Sequence, residues 1–335
     1  MEAPEYRPPG PQYLFHSTIY CHSHRNGAFK MAMDIAFVNL RVPNQTPLGR
    51  INGSSNLTTL VGWVGVQDDG PSSIYLASDS RVTWEAGKQR WDAGRKLFAF
   101  HSSPDLLGYC GDALLPAHLL GQLTELADCG LLFDAAESAE ARHAAIVERF
   151  KTSIAQCDRA ARRDFTVVHA ARDDGGARRQ FLVWYISCEQ GEISERHFAT
   201  LDADAEHKSR HLFALGTGGS VYIDEVIRWN ASAQSHTSRA YFTALCDVLK
   251  AGHDPNSGGS PQLVGLYRTG GGRAYGISYD GGRYFHGLPV PYATNSIAIE
   301  WRDETFQRID GETLRPLRGA QRQVRPKFPN TGKKG

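Results

Sequence analysis

In SSNLTTLVGWVG, residues 54–65, polar text gives way at Thr58 to a run that is apolar at almost every position. A half-buried strand alternates between polar and apolar residues. A strand covered on both faces does not, and TTLVGWVGV reads as the second kind. SIYLASDS repeats the pattern after QDDGPS, a cluster of turn formers, so the two runs are predicted to pair as a hairpin. Thr58 and Thr59 stand at its head. As β-branched residues they suit a strand. Their hydroxyls also suit chemistry, as a terminus exposed once the preceding chain is removed.

Working outward, RKLFAF and DLLGYCG form a second predicted strand pair around HSSP. Helical spacing follows. Asp112 is a candidate cap for DALLPAHLLGQLTELA, with Leu115, Leu119, Leu123 and Leu126 on one face. Pro116 falls in the first turn, where its missing N–H costs little. ESAEARHAAIVERFKTSIAQCDRAA carries Ile146, Phe150 and Ile154 at i, i+4 spacing. Strands return in DFTVVHAA and QFLVWYISC, joined by RDDGGARR, and in RHLFALG. Two further helices are read in GTGGSVYIDEVIRW and TSRAYFTALCDVLKAG, before the strands PQLVGLYR, RAYGISYD and NSIAIEWR. Strand blocks separated by helix pairs predict an α+β fold of two stacked sheets covered by helices.

The totals are compatible with that plan. Of 335 residues, 41% are hydrophobic, enough for a sizeable core. The 37 basic and 36 acidic residues argue against a dedicated nucleic-acid binder. No segment approaches the roughly 20 apolar residues of a membrane span. MEAPEYRPPGP lacks the basic and apolar regions of a signal peptide, so the expectation is a cytoplasmic protein with no membrane partner. The six cysteines form no C-x-x-C pair. YCHSHR brings Cys21, His22 and His24 together without a second ligand cluster, so a polar loop is expected and no metal or other cofactor. Residues 1–57 read as an extension with one local strand or helix in MAMDIAFVNLRV, unless the gene starts at Met31 or Met33. The domain is expected over 58–310, and 311–335 reads as a basic, disordered tail.

A polar group inside apolar text needs a partner, because unpaired burial is costly. Asp79 follows IYLAS and Lys96 precedes LFAF. Each is the natural partner of the other, and such a pair serves structure as readily as chemistry.

TTLVGWVG, IYLASDSRVTW, GRKLFAF and LLGYCGDA follow one another in an order that resembles catalytic proteasome β-type subunits. The first strand is also similar to the peptidase subunit of the bacterial two-component ATP-dependent protease. LGTGGS resembles the family's Gly-Ser-Gly turn, and HDPNSGG its Asp-x-x-Ser-Gly-Gly motif. The resemblance runs from Thr58 to about residue 300. It implies the four-layer αββα sandwich of N-terminal-nucleophile hydrolases, with Thr58 as nucleophile. An internal threonine lacks the α-amine that serves as base in this family, so the Leu57–Thr58 bond would have to be cut. The resemblance makes Lys96 the buried lysine that assists proton transfer and Asp79 its counter-ion. Asp254 and Ser257 position the amine, and Thr217 stands where serine is usual. Gly108 matches the glycine whose N–H faces the oxyanion, a donor worth about 2.7–4 kcal/mol. A plain turn glycine is the other reading. Thr83 matches the residue that pairs with extended substrate, and Val82, Gly94, Leu106 and Cys110 the first pocket. Core packing explains those four equally well.

Two departures stand out. Leu57 replaces the glycine usual before the nucleophile, and QDDGPSS is longer than the family's turn. The implied protein is a threonine peptidase acting on polypeptides in a homo-oligomeric ring, fed by an ATP-dependent unfoldase or other gatekeeper. The alternatives are an uncleaved assembly subunit and a small-molecule amidase of the same superfamily.

Overall fold

The continuous apolar run is strand β1 (Leu60–Gln67), buried at its first six positions, and β2 (Gly70–Ser78) lies antiparallel to it. The computed structural model describes residues 58–84, 89–175, 179–202, 207–291 and 299–321, with Arg325, Pro326 and Phe328. The chain divides into Met1–Ile51 and Asn52–Gly335. The extension, its MAMDIAFVNLRV run, the YCHSHR cluster and Leu57 lie outside the described residues. The expected long turn is a correction. Gln67 pairs with Gly70, so only Asp68 and Asp69 connect the strands, and a bulge between Gly65 and Val66 absorbs the added length.

Chain order then gives β3 (Val82–Trp84), β4 (Gln89–Trp91), β5 (Leu97–Ala99) and β6 (Asp105–Gly111). Helices α1 (Leu114–Asp128) and α2 (Ala139–Gln156) follow, then β7 (Phe165–Asp173), β8 (Gln180–Glu189), β9 (Glu192–Leu201) and β10 (Arg210–Leu215). Helices α3 (Gly219–Asn230) and α4 (Ser238–Ala251) precede β11 (Gln262–Tyr267), β12 (Arg273–Tyr279), β13 (Gly282–Phe285), β14 (Leu288–Pro289), β15 (Glu300–Asp303) and β16 (Arg308–Ile309).

Among the described residues these strands form three sheets. One runs β10-β1-β2-β11-β12-β13-β14, with β15 beside β12 and β16 beside β15. A second runs β5-β6-β7-β8-β9, and β3 and β4 make a separate ribbon. Alternation along each strand sends neighbouring residues to opposite faces. Leu60, Leu76 and Val264 of the first sheet meet Leu97, Leu106 and Val168 of the second in one buried cluster. Trp63, Tyr75 and Leu263, on the other face of the first sheet, pack with Tyr222 and Trp229 of α3 and Tyr241 of α4. Leu107 and Val167, on the other face of the second sheet, pack with Leu123 of α1 and Phe150 of α2. The fold is therefore mixed α+β, and both sheets carry apolar residues on both faces.

Several details differ from the sequence reading. Ala113, not Asp112, occupies the cap position of α1, although Asp112 Oδ1 still accepts the Leu114 N–H at 3.0 Å. The buried face of α1 centres on Leu119, Leu120, Leu123 and Ala127. Strand β9 was not foreseen, because it is a polar edge strand with most positions exposed or half-buried. Within 311–335, Pro316 bridges Ile309, Phe328 packs edge-on against Trp229 at 5.3 Å, and Arg325 pairs with Asp247.

Phe150 is fully buried between α2 and the five-stranded sheet. Phe150→Ala is expected to cost about 3–5 kcal/mol of stability, read as a fall in the urea midpoint at unchanged slope.

Candidate active site

The register of β1 on β2 sets Leu60 opposite Ser78, which brings Thr59 and Asp79 side by side at the strand ends. The ladder continues past those ends. Asp79 N–H donates to Thr59 O at 3.2 Å, and Ser78 Oγ–H donates to the same carbonyl at 2.9 Å. In return Thr59 N–H donates to Asp79 Oδ1 at 2.9 Å.

Lys96 arrives from the other sheet. It sits just before β5, where its N–H donates to Gln262 Oε1 at 3.1 Å and its carbonyl accepts from Tyr109 N–H at 3.2 Å. Its Nζ donates to Asp79 Oδ1 at 2.8 Å and to Thr58 Oγ1. Thr58, Asp79 and Lys96 are 1%, 0% and 2% exposed, so solvent does not screen the group. Burial pushes the Lys96 ammonium below its ordinary value, and the charge and hydrogen bond of Asp79 oppose that. The other oxygen of Asp79, Oδ2, accepts from Arg81 N–H at 2.9 Å and Gly258 N–H at 3.1 Å. Protein donors thus replace water around a carboxylate that would otherwise be costly to bury.

A second cluster adjoins the first. Thr217 Oγ1–H and Ser257 Oγ–H both donate to Asp254 Oδ2, each at 2.7 Å. Ser257 Oγ lies 2.7 Å from Thr59 Oγ1. Ser257 has one hydroxyl hydrogen and gives it to Asp254, so Thr59 must be the donor to Ser257. Gly218 N–H faces Thr58 O at 3.4 Å. A Cβ at Gly218 would lie 1.9 Å from Thr59 Oγ1, so this approach admits only glycine.

Thr58, Asp79, Lys96, Thr217, Asp254 and Ser257 therefore share one hydrogen-bonded assembly joined through Thr59. Gly108 pairs with Leu97 on one side and Val168 on the other, and a side chain there would meet Leu97 Cδ2 at 2.8 Å and Leu60 Cδ1 at 3.1 Å. Tight packing between the sheets accounts for the missing side chain. Val82 and Gly94 adjoin, since a Cβ on Gly94 would meet Val82 Cγ2 at 2.4 Å. Leu106 and Cys110 are buried in the inter-sheet core. Burial pushes the Cys110 thiol up to about 12, although the nearby Lys96 charge works against this. Thr83 pairs with Arg90, so one edge of β3 is already occupied by β4.

Thr59, the second member of the Thr-Thr pair, is the link between the two clusters, and two residues of the assembly were not singled out in the sequence. Arg81 forms a two-pronged pair with Asp92 at 2.7 and 2.8 Å and donates to the carbonyls of Pro255 and Ser257 at 3.0 and 3.3 Å. Gln262 uses its Nε2 on Gly94 O at 2.7 Å, Ser80 Oγ at 3.0 Å and Asp79 O at 3.2 Å. A polar residue opening an apolar strand, the criterion that found Lys96, would have found Gln262.

The sequence matches no protein-family model and no curated protein. Among solved structures it is similar to Anbu (ancestral beta-subunit) from Yersinia bercovieri, with 13% identity and a TM-score of 0.43. That alignment covers 63% of this chain and 82% of the other.

Removing one partner of a buried ion pair strands the other. Asp79→Asn is expected to cost about 3–5 kcal/mol. Adding Lys96→Met should recover part of the loss. A double-mutant cycle in urea measures the coupling, which is expected to be clearly non-additive.

Proposed function

We propose that the protein is a threonine peptidase of the proteasome β type, activated by cleavage of its own Leu57–Thr58 bond. The observation that carries this reading is the buried Lys96 Nζ, which bridges Thr58 Oγ1 and Asp79 Oδ1. An ammonium weakened by burial, with its proton stabilised by one carboxylate, is suited to moving a proton to and from a neighbouring hydroxyl. In this reading the two stacked sheets with their helix pairs are the four-layer αββα sandwich of N-terminal-nucleophile hydrolases.

Activation begins from the form in which burial has left Lys96 a neutral amine: Thr58 Oγ1 attacks the Leu57 carbonyl carbon and its proton goes to the free lone pair of Lys96 Nζ. Collapse breaks the C–N bond, moves the acyl group from nitrogen to oxygen and gives the proton to the departing amine. Water then hydrolyses the ester, releasing residues 1–57 with a new carboxylate and leaving Thr58 with a free amine. In this reading Asp254, Ser257 and Thr217 orient that amine. The mature hydroxyl attacks a substrate carbonyl in the same way, with the amine as base. The substrate peptide leaves with a new amino terminus, and water releases the acyl half.

Val82, half-buried beside Gly94, suits cleavage after apolar residues, and Thr83 offers main-chain pairing to extended substrate. Such a peptidase works as a closed homo-oligomer in the cytoplasm, fed by an unfoldase that delivers extended chains. Among the described residues no helix is long and apolar enough to cross a membrane.

Intact-mass measurement of the purified protein tests the reading. The mass should fall to that of a chain beginning at Thr58, and Thr58→Ala should stay full length and lose peptide hydrolysis. A wild-type protein that keeps its full mass under all conditions and hydrolyses no peptide sinks the proposal. Hydrolysis of small amides alone would instead favour an amidase. For a mature enzyme, kcat/KM should rise with pH through about 7.7–8.0, where an α-amine loses its proton. A flat pH–rate profile across that window would remove the amine from the role of base.

A further inference from the structure

The base of the β3–β4 ribbon carries an ion pair that reaches the candidate site from outside it. β3 begins at Val82, β4 ends at Trp91, and these two residues are partners in the ladder. Arg81 and Asp92 stand just beyond that rung, so the register itself sets them side by side. Arg81 Nε donates to Asp92 Oδ1 at 2.7 Å and Arg81 Nη2 to Asp92 Oδ2 at 2.8 Å. Two parallel bonds of this kind fix the plane of the guanidinium.

The fork leaves Nη1 free for other acceptors. It donates to Pro255 O at 3.0 Å and to Ser257 O at 3.3 Å. Both carbonyls belong to the loop that carries Asp254 and Ser257, which joins α4 to β11 and has no helix or strand of its own. Inside, the loop is a small turn. Asn256 N–H donates to Asp254 Oδ1 at 3.0 Å and Ser257 N–H to Asp254 O at 3.2 Å. Such bonds hold the shape of a turn but not its position. Position needs bonds to other segments. Arg81 grips two of the loop's carbonyls, while Gly258 donates to Asp79 Oδ2 at 3.1 Å and accepts from Ser80 N–H at 2.9 Å.

The loop also fits the pair sterically. A Cβ on Gly258 would lie 2.4 Å from Arg81 Cζ and 2.8 Å from its Nε, so the guanidinium rests directly on the glycine backbone. Gly259, at φ 72°, comes as close to Asp92, whose carbonyl oxygen would be 2.4 Å from a Cβ there. Charge agrees with the geometry. The Arg81 side chain is 15% exposed and that of Asp92 46%. The bond from Asp92 raises the Arg81 guanidinium above its ordinary value against the effect of burial, and the charges of Asp92, Asp79 and Asp254 add to this. In return Arg81 holds the Asp92 carboxyl below the usual carboxylate range.

We infer that Arg81 and Asp92 act as one positioning unit, which sets Ser257 and Asp254 against Thr59 by tying their loop to the base of the β3–β4 ribbon. The tie follows from the contacts alone, and its effect on turnover rests on the proposed peptidase. That effect passes through Ser257, whose Oγ lies 2.7 Å from Thr59 Oγ1. Thr83, two residues beyond Arg81, is where extended substrate pairs in the same reading. Substrate held there bears on a ribbon whose base also holds the loop of Ser257.

Arg81→Lys separates geometry from charge. Lysine keeps the charge, but one ammonium cannot fork onto Asp92 and span two carbonyls at once. Hydrogen exchange of the full chain is followed in peptides covering residues 253–260. Exchange there should rise roughly ten- to a hundredfold in Arg81→Lys and in Asp92→Asn, as expected when a charge-assisted hydrogen bond is lost. Peptides from α2 and β7 should be unchanged. In peptide hydrolysis, kcat should fall by roughly ten- to a hundredfold at little change in KM, the signature of a displaced group that does not bind substrate. The double variant should be no worse than Arg81→Lys, because the two residues form one unit. Wild-type exchange at 253–260 in Arg81→Lys overturns the tie, as does exchange that rises equally in α2 and β7. Faster local exchange with an unaltered kcat overturns the positioning role. If the wild type hydrolyses no peptide, the peptidase reading falls, and the exchange measurement still decides the tie by itself.

Discussion

The ammonium of Lys96 is the constraint around which the site is built. A charge taken from water to a position 2% exposed costs several kcal/mol unless the surroundings answer it. Here the answer is Asp79, and Asp79 in turn needs donors. It finds them in the N–H groups of Thr59, Arg81 and Gly258, each from a different stretch of chain. One buried charge thereby dictates where the head of β1, the end of β2 and the loop before β11 must lie.

The same constraint explains why the assembly sits at a seam. Thr58 lies just before β1 and Asp79 just after β2 of the nine-stranded sheet, and Lys96 leads into the five-stranded one. Gln262 braces the join, because its amide binds main chain beside both Asp79 and Lys96. Stacking the sheets is what brings a hydroxyl, an amine and a carboxylate into one line. A change that shifts one sheet against the other would misalign them without touching any of the three. Gly218 is part of the same fit, since a single methyl group would occupy the place of the Thr59 hydroxyl.

Much of the fold was legible because its strands are covered on both faces. Apolar runs such as LVGWV and the i, i+4 spacing of Ile146, Phe150 and Ile154 leave little choice of element. Legibility ended where that cover ends. Strand β9 lies at a sheet edge, and its sequence EISERHFATL shows only the weak pattern of an edge. The two-residue β1–β2 turn was hidden because a bulge lets turn-forming residues continue a strand. In the site, the criterion of a polar residue in apolar text picked out Asp79 and Lys96. It passed over Gln262, which satisfies the same test. Gly108 is a different case, because Leu60 and Leu97 leave room there for nothing larger than glycine, a constraint that only the packed sheets reveal.

What the sequence determined by itself was the four helices and the apolar strands between them, their order, and the pairing of one buried acid with one buried base. These follow from local periodicity and from the cost of leaving a charge alone, and both can be read along the chain. Tertiary structure alone decided that Thr59 links the Lys96 group to the Asp254 group, and that Gln262 and Arg81 brace them. Hydrogen-bond count and charge balance are properties of atoms in contact, and contact between distant segments exists only once the sheets and helices have packed.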